Sequence, residues 1–190
     1  MQKELNINNT TIDLSAYPQS MGINALAVYS IATQLGLNNS SIISQFSSFK
    51  IPYGRGELIY LKNKIIINDT YNSNIDSAKI GIESLSNYPS SKRKIAIIGD
   101  MLELGINEKT YHEKLGIFLN NQRLDAVFAY GKLTKYTINI MYDSNTYKKY
   151  YDDKNLLIFD LKEFLLDDDI IYIKGSRGMK MEDIIKGLES

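Results

Sequence analysis

Residues Ile65-Ile66-Ile67-Asn68-Asp69-Thr70-Tyr71-Asn72-Ser73-Asn74-Ile75-Asp76-Ser77 pass from a β-branched apolar run, through a polar loop, into a helix start. The run is short and lacks polar alternation, as expected of a strand buried on both faces. After the loop, Ile75, Ala78, Ile82 and Leu85 fall on one helical face. The same grammar then repeats. Apolar runs at 95–98, 126–129, 156–159 and 170–173 are read as strands. Leu115, Phe118 and Leu119 mark a second helix, 133–140 a third, 161–165 a short fourth, and Met181, Ile184, Ile185 and Leu188 a last amphipathic one. Alternation of this kind predicts an α/β, Rossmann-like, mostly parallel sheet with helices on both faces, placed at 49–190.

The stretch before it reads differently. Residues 5–14 suggest a strand hairpin, 24–35 an apolar helix and 42–46 another, capped at Asn39-Ser40. Pro52-Tyr53-Gly54-Arg55-Gly56 reads as a turn-rich joint. The segment 145–154, rich in Tyr, Lys and Asp, is expected to be an exposed loop or a short edge element.

Composition narrows the chemistry. Hydrophobic residues make up 44% of the 190 and charged ones 23%, enough to bury a core. Basic and acidic residues balance at 22 each, so no broad field draws nucleic acid or an anionic membrane. Without cysteine there are no disulfides or thiolate zinc sites, and one histidine, His112, cannot build a histidine metal site. No apolar run is long enough to span a bilayer, and the polar start is unlike a secretory signal, which makes a cytoplasmic location the expectation.

In an open parallel sheet, ligands bind beyond the carboxyl ends of the strands. The polar punctuation falls there: 68–74, Gly99-Asp100-Met101-Leu102-Glu103-Leu104-Gly105, and Lys174-Gly175-Ser176-Arg177-Gly178-Met179-Lys180. Glycines in the last loop allow close backbone approach, and Lys174, Arg177 and Lys180 suit a carboxylate or phosphate; an ordinary turn with solvated charges is the plainer alternative. Asp69 and Asp100 each follow a strand and can accept ribose hydroxyls, hold magnesium or cap a helix. Capping is favoured for Asp100, and Asp69 stays open. His112 reads as a surface or packing residue, and Tyr71 as a stacking or packing one. A P-loop is absent: Gly131-Lys132 has Ala126 at the required glycine and is followed by Leu133. Gly54-Arg55-Gly56 is not a dinucleotide fingerprint, since Ile59 follows.

Taken together, these motifs resemble the MurF branch of the Mur ligases, the UDP-N-acetylmuramoyl-tripeptide:D-alanyl-D-alanine ligases. The stretch 67–77 is similar to that family's Asp-Asp-Ser-Tyr-Asn-Ala-Asn-Pro-Asp-Ser. The stretch 98–105 with downstream His112 is similar to its Gly-Asp-Met-x-Glu-Leu-Gly, and 173–182 to its Lys-Gly-Ser-Arg-x-x-x-Met-Glu. Gly54-Arg55 resembles the opening of the last Mur domain, and Asn24-Ala25-Leu26-Ala27 a helix near the end of the central one. The order agrees over nearly the whole chain. The resemblance implies that 1–48 is the tail of a central ATPase domain and 49–190 the dipeptide-binding, Rossmann-like domain.

It also implies a reaction. ATP and Mg2+ activate the tripeptide carboxylate as an acyl phosphate, which the amine of D-alanyl-D-alanine attacks. Asn24 would contact adenine; Arg55, Asp69, Tyr71 and Asn72 would serve the nucleotide; Gly99, Asp100, Lys174, Ser176 and Arg177 would surround the dipeptide. No catalytic residue and no metal ligand is assigned to this chain. Most ligands of ATP and Mg2+, and the UDP-N-acetylmuramoyl-tripeptide site, would belong to amino-terminal and central domains outside it, so the chain alone is expected to be inactive. A non-catalytic dipeptide- or nucleotide-binding module, and a fragment of a sister Mur or folylpolyglutamate-type ligase, are the alternatives. Leu26, Val28, Ile31 and Leu35 are expected to form an exposed apolar patch, with dimerisation or poor solubility as the consequence.

Overall fold

A computed structural model describes residues 4–7, 10–13 and 21–190. It divides into two compact units, Met1–Pro52 and Tyr53–Ser190. In the first, β1 (Glu4–Ile7) and β2 (Thr10–Asp13) pair antiparallel. The expected hairpin is therefore present in its described residues; Asn8, Asn9 and Leu14 lie outside them. Helix α1 spans Met21–Gln34 and α2 spans Asn39–Ser48, the latter capped by the Asn38 side chain accepting from the Ser41 amide at 2.8 Å. Ile12, Tyr29 and Ile42 make its small core. Leu26, Val28, Ile31 and Leu35 are exposed, as the sequence predicts.

The second unit is built on a six-stranded sheet in the order β3-β4-β8-β5-β6-β7. The strands are β3 (Glu57–Leu61), β4 (Lys64–Asp69), β5 (Lys94–Gly99), β6 (Ala126–Tyr130), β7 (Tyr147–Tyr151) and β8 (Ile170–Lys174). Only β3 runs antiparallel, at one edge. The helices are α3 (Ile75–Ser86), α4 (Glu108–Leu119), α5 (Thr134–Ile140), α6 (Lys154–Phe164) and α7 (Glu182–Glu189). Alternate strand residues feed two cores. Ala96, Ile98, Val127, Ala129, Ile170 and Tyr172 pack with α3 and α4 on one face. Ile95, Ile97, Ala126, Phe128, Ile171 and Ile173 pack with α6 and α7 on the other.

One strand assignment is corrected. Residues 156–159 are helical, inside α6, and not a strand. Asp153 caps that helix by accepting from the amides of Asn155 and Leu156 at 2.7 and 3.4 Å. Leu157, Leu161 and Leu165 are buried at helical spacing, whereas Leu156 and Phe159 are exposed. The strand in this region is β7, at the sheet edge, where Tyr147-Lys148-Lys149-Tyr150-Tyr151 is fully buried only at Tyr151. The edge strand β3 also went unread. It joins β4 through Lys62-Asn63, with Lys62 at φ 52°, and lacks the glycine that usually marks such a hairpin.

Strand β8 is buried along its whole length between β4 and β5. The chain leaves β4 and β5 towards the α3 and α4 face, and leaves β8 towards the α7 face. The carboxyl end of β8 is therefore a topological switch point, where diverging loops leave a crevice.

Tyr172 crosses from β8 under α3 and lies against Gly81, where a methyl group would run into its hydroxyl and ring. Tyr172 is only 2% exposed and has no room to yield. Gly81→Ala is thus predicted to destabilise the fold by about 1–3 kcal/mol in urea denaturation. A gain of roughly 1 kcal/mol, the ordinary result for Gly→Ala in an open helix, would contradict this packing.

Candidate functional site at the carboxyl end of β8

Three loops meet at the switch point, and their backbones are tied together by buried polar groups. The Ser176 amide donates to the Asp100 carbonyl at 3.0 Å. The Ser176 hydroxyl accepts from the Leu102 amide at 2.8 Å and donates to the Ser73 carbonyl at 3.3 Å. Ser176 thus joins the loops after β4, β5 and β8. Gly99 and Gly175 lie beneath them. A Cβ on either would come within 2.6 Å of the Met181 side chain, so both positions need glycine for close packing.

Asp100 is a cap, but for a helix further along the chain than the next one. Its Oδ1 accepts from the amides of Leu133 and Thr134, at 3.0 and 2.8 Å, at the start of α5. Gly131 leaves the space, since a Cβ there would meet the carboxyl group at 2.5 Å. Burial raises the Asp100 pKa above the usual carboxylate value, against the lowering effect of the Thr134 and Leu133 amides.

His112 is fully buried. Its Nε2 accepts from the Met101 amide at 3.0 Å and its Nδ1 lies 2.7 Å from the Glu108 carbonyl, which suits a ring that accepts at Nε2 and donates at Nδ1. It therefore pins the loop after β5. The sequence offered only the bland half of this reading; the signal was a lone histidine facing an apolar helix stripe.

Asp69 is not a cap. Helix α3 is capped by Asn74 in a reciprocal box with Ser77. Asp69 Oδ2 instead receives the Lys174 ammonium at 2.6 Å and the Tyr172 hydroxyl at 2.8 Å. Lys174 also donates to the Asn72 carbonyl at 2.9 Å. Burial lowers the Lys174 pKa, which Asp69 partly offsets. Burial, then Asp69, pushes Tyr172 well above the normal phenol value.

The solvent-facing groups are different ones. Arg55 and Tyr71 are exposed, with the guanidinium 3.9 Å from the ring centroid. The Tyr71 amide donates to the Gly54 carbonyl at 3.0 Å, which locks this stack onto the loop after β4. Gly54 sits at φ 74°, where a side chain would be strained. Asn72 is exposed. Arg177 is exposed too and pairs with Glu182 Oε1 at 2.8 Å; Glu182 is buried, and its Oε2 has no partner among the described residues. Asn24 lies exposed on α1 in the first unit, while the other predicted site residues belong to the second.

A doubly wound α/β domain with loops of mixed charge at its switch point defines a class, and comparison narrows it. The pattern of the "Mur ligase, glutamate ligase domain" matches residues 54–177. The chain belongs to the Mur ligase family. It is 32% identical over 169 residues to the UDP-N-acetylmuramoyl-tripeptide–D-alanyl-D-alanine ligase of Bacillus subtilis, covering 87% of this chain and 37% of that protein. It is 39% identical over 168 residues to the ligase of the same name from Buchnera aphidicola (Baizongia pistaciae), covering 87% and 35%. The solved MurF ligase of Thermotoga maritima in complex with ADP superposes with a TM-score of 0.81 at 26% identity, over 98% of this chain and 42% of that one. The chain thus spans well under half the length of these relatives.

Among the described residues no group of His, Cys, Asp or Glu is placed to hold a metal ion, and no helix is long and apolar enough to cross a membrane.

Removing the Asp100 carboxyl group strands two amide donors. Asp100→Ala is predicted to cost about 1–3 kcal/mol, measured by chemical denaturation. Asp100→Asn keeps an acceptor oxygen and should cost clearly less. Equal losses in the two variants would show that the carboxyl group does not cap α5.

Proposed function

We propose that this chain is the carboxy-terminal part of a MurF-type ligase, which adds D-alanyl-D-alanine to UDP-N-acetylmuramoyl-tripeptide at the expense of ATP. The observation that carries the reading is that the three loops bearing the MurF-like motifs share one hydroxyl, that of Ser176, at the switch point. In this reading residues 1–48 are the tail of the central ATPase domain, and the rest of the ATP, Mg2+ and tripeptide sites belong to domains not in this chain. ATP would supply the activated tripeptide carboxylate.

The chain's own residues then divide by what they can reach. Arg55, held flat on Tyr71, offers an exposed cation to phosphate oxygens. For Asn24, in the first unit, the family resemblance alone suggests adenine; in the second unit Asp69 offers an oxygen to a ribose hydroxyl and Asn72 is exposed. These groups fit a nucleotide: one outward cation, one ring and one carboxylate. On the other side, Arg177 is the exposed cation for the dipeptide carboxylate, and Gly99, Asp100 and Ser176 shape the wall it enters. Holding the amine in line is the main physical contribution such a domain can make. A cytoplasmic location goes with the use of ATP.

Phosphate release from ATP, with UDP-N-acetylmuramoyl-tripeptide and D-alanyl-D-alanine, tests this. The chain alone should be silent, and a mixture with a separately expressed amino-terminal MurF half should turn over. Arg177→Ala in that mixture should raise KM for the dipeptide about tenfold, a loss of roughly 1.4 kcal/mol. Turnover by the chain alone would contradict the division of labour. A silent mixture whose chain still binds the dipeptide would favour a binding module.

A further inference from the structure

The cations at the switch point are not equivalent. Arg55 and Arg177 face solvent, while Lys174 is 3% exposed. Asp69 and Lys174 are register partners on neighbouring strands, so their side chains leave the same face of the sheet. Tyr172, two residues before Lys174, shares that face. Its hydroxyl and the Lys174 ammonium both close on Asp69 Oδ2. The ammonium spends a second donor on the Asn72 carbonyl. The remaining oxygen, Oδ1 of Asp69, makes no hydrogen bond among the described residues, and the Asp69 side chain is 22% exposed. With two of its three donors so held and only 3% of the residue exposed, the Lys174 ammonium gives a ligand carboxylate little access.

We propose that Lys174 is a positioning residue of the loop after β4 rather than a ligand of the dipeptide: with Tyr172 it turns Asp69 so that Oδ1 faces outward as a hydroxyl acceptor, and it ties Asn72 to β8. The proposal deepens the reading in which that loop serves the nucleotide. It leaves Arg177 as the cation that meets the acceptor's carboxylate. It also makes β8 mechanically common to both sides of the site, since Lys174 grips the loop after β4 and Ser176, two residues on, grips that loop and the one after β5.

Amide hydrogen exchange on the full chain, without ligand, tests the structural core of the proposal. In Lys174→Met the amides of 70–73 should exchange about tenfold faster, roughly 1.4 kcal/mol of lost protection, while those of 101–103 and 177–180 stay within about twofold. Equal loosening of all three loops, or of none, overturns it. Tyr172→Phe removes one donor to Oδ2 while keeping the ring, and should give a smaller rise confined to 70–73; no rise there overturns the proposal even if Lys174→Met fails to fold. In the active mixture with the amino-terminal half, Lys174→Met should raise KM for ATP about tenfold and leave KM for D-alanyl-D-alanine within about twofold. The reverse split, which a lysine merely supporting the fold would not produce either, assigns Lys174 to the dipeptide and overturns the proposal. A wild-type mixture without activity refutes the ligase reading alone, because the exchange results need neither nucleotide nor partner half.

Discussion

The insertion of β8 between β4 and β5 is the constraint on which the rest of the second unit depends. Its five residues are buried, so it can sit only at the centre of the sheet with helices on both faces. Because the chain reaches it last, through α6, it exits towards the opposite face from its neighbours. The crevice at its carboxyl end follows from that order of strands. So do the glycines beside it: Gly99 and Gly175 have no room for a Cβ because Met181, entering α7, fills the space over both.

Bringing three polar loops to a buried strand end leaves amides and carbonyls that water cannot reach freely, and each needs a partner. Ser176, Asp100, His112 and Lys174 meet that demand. Each makes at least one bond to a backbone group of another loop, so the residues most suggestive of ligand binding by type are largely committed to holding the loops in register. The groups left at the surface form a thin outer layer: Arg55 on Tyr71, Asn72, Arg177 paired with Glu182, and Oδ1 of Asp69, which makes no hydrogen bond among the described residues. A separation of this kind keeps the outer groups aimed before a ligand arrives, and lowers the entropy lost on binding.

The central strands were legible because burial on both faces leaves uninterrupted apolar runs, as at 95–98 and 170–173. Edge strands lack that pressure. For β7, Tyr147-Lys148-Lys149-Tyr150-Tyr151 carries no apolar run, while the neighbouring Leu156-Leu157-Ile158-Phe159 does and is helical. There the deciding signal was the i, i+4 spacing of Leu157, Leu161 and Leu165 after a capping Asp153, not the run itself. At the candidate site, sequence motifs picked out the three loops that the structure brings together, since polar punctuation after a buried strand is a local property. They did not show which side chains face outward. Lys174 and Arg177 lie in one loop and look alike on paper, yet strand register sends Lys174 under α3 to Asp69, while Arg177, past the turn, reaches solvent. The capping of α5 by Asp100 was equally hidden, because its partners are more than thirty residues away.

The central claim is that the switch point of this domain receives the acceptor dipeptide. Backbone-assigned NMR titration of the chain with D-alanyl-D-alanine addresses it most directly, because it needs neither ATP nor the rest of a ligase. The account predicts saturable shifts concentrated at 99–102 and 175–178, largest around Arg177, and weaker with an amidated dipeptide that lacks the carboxylate. Saturable shifts elsewhere on the domain, with these loops unmoved, would contradict it.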